Sequence, residues 1–206
     1  MPNIELPRLY AIVDSSCFSG TEAICEFAKQ LMDAGVTLLQ YRNKSGNARR
    51  ILQEARCLKQ AVGSGAKLIM NDRADLCLLA EYDGVHVGQE DVSPEMARKV
   101  IGPDLWLGVS THNPSQITEA AKGPADYLAI GPVFATASKT KPDPVVGLEG
   151  VRYARSLTSK PLVAIGGITR AHARDVVRAG ADCIAVIADL LSSPRQSAGD
   201  FLRILR

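Results

Sequence analysis

Long apolar runs, aromatic residues, histidine and net charge of either sign are all scarce in this chain of 206 residues. No apolar run approaches the roughly eighteen residues of a membrane-spanning helix, so no membrane partner is expected. Met1 is followed by proline and polar residues rather than an apolar signal core, which points to the cytoplasm. A formal net charge of +2 is too small to draw the chain to a nucleic acid or an anionic surface. Aromatic residues make up 5% of the chain, too few for a base-stacking surface, so no nucleic-acid partner is expected either. The five cysteines (Cys17, Cys25, Cys57, Cys77 and Cys183) are odd in number and scattered. Without a Cys-x-x-Cys pair or a Cys/His cluster they argue against a disulfide framework and predict reduced, mostly buried thiols.

What is present is a repeated unit: a short apolar run, a polar or glycine-rich break, then a helical stretch. The strands predicted are Leu9–Val13, Leu38–Tyr41, Lys67–Met70, Gly84–Val87, Trp106–Val109, Tyr127–Ile130, Leu162–Ile165 and Cys183–Ile187. They are near-continuously apolar, as parallel strands covered on both faces should be. Helices are predicted over Thr21–Ala34, Ala48–Val62, Arg73–Ala80, Ala171–Ala179 and Pro194–Leu205. Ser93-Pro94 and Asn113-Pro114 each pair a capping side chain with proline at the first helical position. Eight such units predict a single-domain (β/α)8 TIM barrel of the α/β class over residues 1–206. The rival, an open doubly wound sheet, is weakened by the absence of Gly-x-Gly-x-x-Gly after the first strand. The longest irregular stretch, Val133–Gly147, has the length of an active-site lid.

In such a barrel the site is built at the C-terminal strand ends. Two of these ends run into acids, Asp72 after Asn71 and Asp91 after Gly88-Gln89-Glu90, nineteen residues apart. A pair of carboxylates at one barrel end suits one Mg²⁺, which favours oxygen ligands and completes its shell with water and substrate phosphates. Helix capping is the plainer use for either acid, and Glu90 is a lesser rival ligand. Strand two ends Gln40-Tyr41-Arg42-Asn43-Lys44, where a two-residue repeat turns Gln40, Arg42 and Lys44 the same way as an anion cradle. Ser110 ends strand five and can hydrogen-bond a phosphate or a heterocycle. His86, inside strand four, is expected as a core histidine, His112 as a supporting residue and His172 as an exposed one. Thr136, Ser138 and Lys139 after strand six, and Gly166-Gly167 after strand seven, suit a second phosphate. The sum is a site for two small phosphorylated substrates, one of them a diphosphate on Mg²⁺. Oligomerisation into a homo-oligomer is left open.

Six segments in order, Gln-x-Arg-x-Lys (40–44), Asn-Asp (71–72), His-Val-Gly-Gln-x-Asp (86–91), Gly-Val-Ser (108–110), Gly-Pro-Val-Phe-x-Thr-x-Ser-Lys (131–139) and Ala-Ile-Gly-Gly-Ile (164–168), resemble thiamine-phosphate synthases over nearly the whole chain. The resemblance implies a transferase of thiamine biosynthesis. It would join 4-amino-5-hydroxymethyl-2-methylpyrimidine diphosphate to 4-methyl-5-(2-phosphoethyl)thiazole, giving thiamine phosphate and pyrophosphate by a dissociative substitution. It implies that Gln40, Tyr41, Arg42, Asn43, Lys44, Asn71, Ser110 and Lys139 bind the pyrimidine diphosphate. Thr136, Ala137, Ser138, Gly167, Ile187 and Ala188 would bind the thiazole phosphate, and Asp72 and Asp91 would hold Mg²⁺. Arg42, Lys44 and Lys139 would stabilise the leaving diphosphate. Ala188 stands where a serine is common in the family, and the Asp189 that follows would repel a phosphate unless it faced away. Two alternatives remain: a thiazole tautomerase-like relative, which would carry a histidine where Pro132 stands, and a non-catalytic protein that binds thiazole phosphate.

Overall fold

A computed structural model of the chain describes residues 4–136 and 143–206. Among them run strands β1 (Leu9–Asp14), β2 (Leu38–Arg42), β3 (Lys67–Asn71), β4 (Gly84–Val87), β5 (Trp106–Thr111), β6 (Tyr127–Ile130), β7 (Leu162–Ile165) and β8 (Cys183–Val186). Helices α1 (Thr21–Asp33), α2 (Ala48–Val62), α3 (Ala74–Leu79), α4 (Pro94–Ile101), α5 (Pro114–Lys122), α6 (Gly147–Leu157), α7 (Ala173–Arg178) and α8 (Pro194–Ile204) alternate with them. Neighbouring strands pair in parallel, and β1 also pairs with β8, which closes the barrel. The (β/α)8 expectation holds, with differences of one or two residues at several element ends.

Alternation along each strand sorts the side chains. Tyr10 and Ile12 point into the barrel with Leu38, Ile69, Trp106, Tyr127, Val163 and Cys183. Leu9, Ala11 and Val13 point outward, where they pack with helix residues such as Phe27, Leu31, Leu58 and Phe201. Asn47, Ser93 and Asn113 cap α2, α4 and α5 by accepting the backbone N–H three residues on. Cys77 and Cys183 are buried, Cys25 and Cys57 half-buried and Cys17 exposed, so fewer thiols are buried than expected. No helix among the described residues is long and apolar enough to cross a membrane.

The N-terminal end of the barrel uses one device three times. Asp83, Asp126 and Asp182 stand immediately before β4, β6 and β8. Each donates its backbone N–H, at 2.8 Å, to the carbonyl of a leucine on the preceding strand: Leu68, Leu107 and Leu162. Each carboxylate then accepts the N–H of that same leucine, at 2.9, 2.8 and 2.8 Å. A basic side chain neutralises each acid: Lys59 and Lys67 at Asp83, Arg98 at Asp126, Arg155 at Asp182. These acids stitch the strand starts and leave the other end free for chemistry.

Asp126 is the most enclosed of the three, and Arg98 lies 2.6 Å from it. Asp126→Ala should therefore lower stability by about 3 kcal/mol, because it strands a part-buried guanidinium and the Leu107 N–H. Urea unfolding measures this. A loss under about 1 kcal/mol would mean that the ladder does not depend on these acids.

Candidate active site

The C-terminal rim gathers most of the polar residues singled out by the sequence, each placed by strand alternation. On β2, Gln40 points into the barrel and bonds Tyr10, while Arg42 pairs with Asp14 at the end of β1. Lys44, two residues beyond, pairs with Asp72. Tyr41 and Asn43 face the other way: the Tyr41 hydroxyl and the Asn43 amide both bond the buried Glu54 carboxylate on α2. The rim side of the 40–44 segment is therefore presented by Gln40, Arg42 and Lys44, with Tyr41 and Asn43 beneath it. What they supply is an anchor between β2 and α2.

Asp14 is a residue the sequence reading passed over. It is buried, sits opposite Arg42 in the β1–β2 register, and accepts the Ser16 N–H and hydroxyl at 3.0 and 2.7 Å. Its second oxygen holds the Arg42 guanidinium at the rim. An acid ending the first strand was the available signal, but only the register shows which cation it meets.

Neither Asp72 nor Asp91 is spent as a helix cap. Arg73 precedes α3 without a side-chain cap, and Ser93 itself caps α4. Asp91 closes its own turn by accepting the Gly88 N–H at 2.8 Å. Asp72 lies at φ +63°, a left-handed backbone that a non-glycine residue adopts at some cost. Burial, together with the neighbouring Asp91 carboxylate, raises the Asp72 carboxyl to about 6, against the opposing pull of Lys44. Beside them, the buried Asn71 Nδ2 has no hydrogen-bond partner among the described residues. An acid pair short of positive charge and an unpaired amide donor together describe a place prepared for a cation and an anion. Among the described residues no third acid, histidine or cysteine joins the pair to make a metal cluster. Two carboxylates suit a hard dication that keeps water and phosphate oxygens, and not a closed zinc site.

Ser110, half-buried at the end of β5, lies 2.8 Å from His86 Nε2. His86 is a core histidine, as expected. His112 supports the rim, with Nδ1 2.6 Å from the Gly131 carbonyl and Nε2 3.6 Å from Asp143. The segment after β6 lies along the end of β7, with Val133 and Phe134 N–H donating to Ile165 and Gly166 carbonyls at 2.9 and 3.0 Å. Gly167 makes this approach feasible: its φ is +64°, and a Cβ there would meet the Ala135 carbonyl at 2.4 Å. Thr136 and Gly167 are thus neighbouring segments. Ile187 packs against the barrel interior, and Ala188 opens a 3-10 turn, Ala188–Leu190. Asp189 is held by Arg170 through its backbone N–H at 2.9 Å and guanidinium at 3.0 and 3.2 Å. Ala137, Ser138 and Lys139 lie outside the described residues. A depression of about 660 Å³ on the outer face, lined by Glu95, Thr118, Lys122 and Tyr153, contains none of the rim groups.

The family model of thiamine monophosphate synthase matches residues 9–190. A thiamine-phosphate synthase of Koribacter versatilis is 60% identical over 205 residues, 98% of this chain and 97% of that protein. The chain belongs to the thiamine monophosphate synthase family. A second family member, the thiamine-phosphate synthase of Chloroflexus aurantiacus, is 43% identical over 189 residues, 90% of this chain and 86% of the relative. The solved structure of thiamine phosphate pyrophosphorylase from Pyrococcus furiosus matches with a TM-score of 0.85 at 32% identity, covering 96% of this chain and 95% of that one.

Because the folded Asp72 carboxyl is raised, its ionisation opposes folding. Stability should fall as pH rises from about 4, the ordinary carboxylate value, through about 6, and level off above. Asp72→Asn keeps the shape and tolerates the left-handed backbone but cannot ionise. It loses the Lys44 pair, which is half-exposed and contributes little. In metal-free buffer the variant should match the wild type at pH 4 and melt about 3 °C higher at pH 8. An equal melting difference at both pH values would show that Asp72 is not a charge held under strain.

Proposed function

We propose that the rim joins 4-amino-5-hydroxymethyl-2-methylpyrimidine diphosphate to 4-methyl-5-(2-phosphoethyl)thiazole, releasing pyrophosphate and thiamine phosphate. The observation that carries the proposal is the Asp72–Asp91 pair set beside Lys44, Arg42 and the unpaired Asn71 amide. Asp72 and Asp91 would hold one Mg²⁺, which supplies positive charge against the leaving diphosphate. Arg42, oriented by Asp14, and Lys44 add positive charge on the same side, and Lys139 is assigned to the same task from the sequence. Gln40 on β2 and Ser110 on β5 would face the pyrimidine. Thr136, Ser138, Gly167 and the backbone at Ile187 and Ala188 take the thiazole phosphate, with Asp189 already neutralised by Arg170.

The bond to diphosphate breaks first, leaving a pyrimidine methylene cation that the thiazole nitrogen captures. This order asks for no protein nucleophile. What it requires of the chain is preorganised charge at the leaving group and exclusion of water from the cation. The sequence assigns the latter task to the 133–147 segment. A tautomerase would need a proton-transferring side chain at position 132, where buried Pro132 has none. The reaction proposed is a cytoplasmic one in a biosynthetic route that builds a two-ring phosphate ester.

Purified protein given both substrates and Mg²⁺ should release thiamine phosphate and pyrophosphate in equal amounts, and none after chelation of the metal. Thiazole phosphate binding with no product at any Mg²⁺ concentration would overturn the proposal in favour of a binding protein.

A further inference from the structure

Five side chains from five strands form one hydrogen-bonded string through the barrel interior. Gln40 Nε2 on β2 lies 2.8 Å from the Tyr10 hydroxyl on β1, which lies 3.1 Å from the Tyr127 hydroxyl on β6. Tyr127 in turn lies 3.1 Å from His86 Nδ1 on β4, and His86 Nε2 lies 2.8 Å from Ser110 Oγ on β5. Gln40, Tyr10, Tyr127 and His86 are all buried. The two ends of the string, Gln40 and Ser110, are the groups assigned above to the pyrimidine.

Proton counting gives the string a single sense. Each tyrosine has one O–H, and a neutral imidazole has one N–H. Gln40 donates to Tyr10, and the one sense that then gives every buried O–H and imidazole N–H an acceptor has Tyr10 donating to Tyr127 and Tyr127 donating to Nδ1. The one imidazole proton is then on Nε2, where it donates to Ser110. The serine proton is left over at one end, and the Gln40 carbonyl with its second N–H at the other. The number of protons is constant near neutral pH. Burial raises both phenols well above their ordinary value, and burial lowers His86 to about 4 despite the Asp91 charge. The crossing also depends on Gly108: a Cβ there would meet Tyr127 Cζ at 2.2 Å and His86 Nδ1 at 2.4 Å.

We propose that Tyr10, Tyr127 and His86 are positioning residues that commit Ser110 to donate to, and the Gln40 carbonyl to accept from, the heterocycle of the diphosphate substrate. The string makes the site specific for a ring carrying an amino donor beside ring-nitrogen acceptors. An oxo ring, with a carbonyl acceptor beside a ring N–H, presents the reverse pattern. A Gln40 amide fixed in this orientation would set its carbonyl against the ring carbonyl and its free N–H against the ring N–H. This inference rests on the pyrimidine diphosphate reading of the site and adds what discriminates within it.

Tyr127→Phe tests it, because the ring stays and only the central hydroxyl is lost, touching neither Gln40 nor Ser110. Two readouts apply. Nitrogen NMR of the wild type should show His86 as a single tautomer protonated at Nε2, and the variant should show a mixture. The kcat/KM preference for the amino pyrimidine diphosphate over its oxo analogue should fall by about tenfold in the variant, with KM for thiazole phosphate within about twofold of wild type. Tyr10→Phe breaks the next link and should act alike, which covers the case in which Tyr127→Phe does not fold. A wild-type His86 protonated at Nδ1, or an unchanged preference in a folded variant, would overturn the inference. A wild type that makes no thiamine phosphate would instead overturn the functional reading, and the tautomer measurement would still report on the string.

Discussion

Closure of the parallel barrel through β1 and β8 is the constraint on which the rest of the molecule depends. Once eight parallel strands close, every strand start lies at one end and every strand end at the other. The two ends then treat acids in opposite ways. At the starts, Asp83, Asp126 and Asp182 are each engaged by a strand N–H and a basic side chain. At the ends, Asp72 and Asp91 crowd together beside Lys44, and burial with the neighbouring Asp91 charge raises the Asp72 carboxyl. The first arrangement stabilises the fold. The second leaves unbalanced charge where a ligand can balance it.

The costs at the rim are specific and local. Asp72 sits in a left-handed backbone, the Asn71 amide is buried without a partner, and two carboxylates share one corner. A protein selected only for stability would remove each of them. A cation between the acids and an anion at Asn71, Lys44 and Arg42 would relieve the last two at once, which joins them into one site. Asp14 performs the complementary service, keeping Arg42 extended at the rim before any anion arrives.

Much of this was legible in the sequence because it follows from short-range periodicity. Strand positions came from apolar runs, the caps from Asn47, Ser93 and Asn113, and the shared direction of Gln40, Arg42 and Lys44 from a repeat of two. The same repeat turns Tyr41 and Asn43 outward, where Glu54 on α2 receives them. What stayed illegible joins residues far apart in the chain. Asp14 meets Arg42 only through the β1–β2 register, and Tyr10 meets Tyr127 only across the closed barrel. A buried histidine at position 86 could be read as core, but its link to Ser110 required the relative placement of β4 and β5.

The central claim is that Asp72 and Asp91 hold the Mg²⁺ that carries the diphosphate. Calorimetric binding of pyrophosphate, with and without Mg²⁺, in the wild type and in Asp91→Asn, tests it most directly. The account predicts that Mg²⁺ tightens pyrophosphate binding by about tenfold or more in the wild type and by less than about twofold in the variant. Equal tightening in both proteins, or none in the wild type, would contradict it.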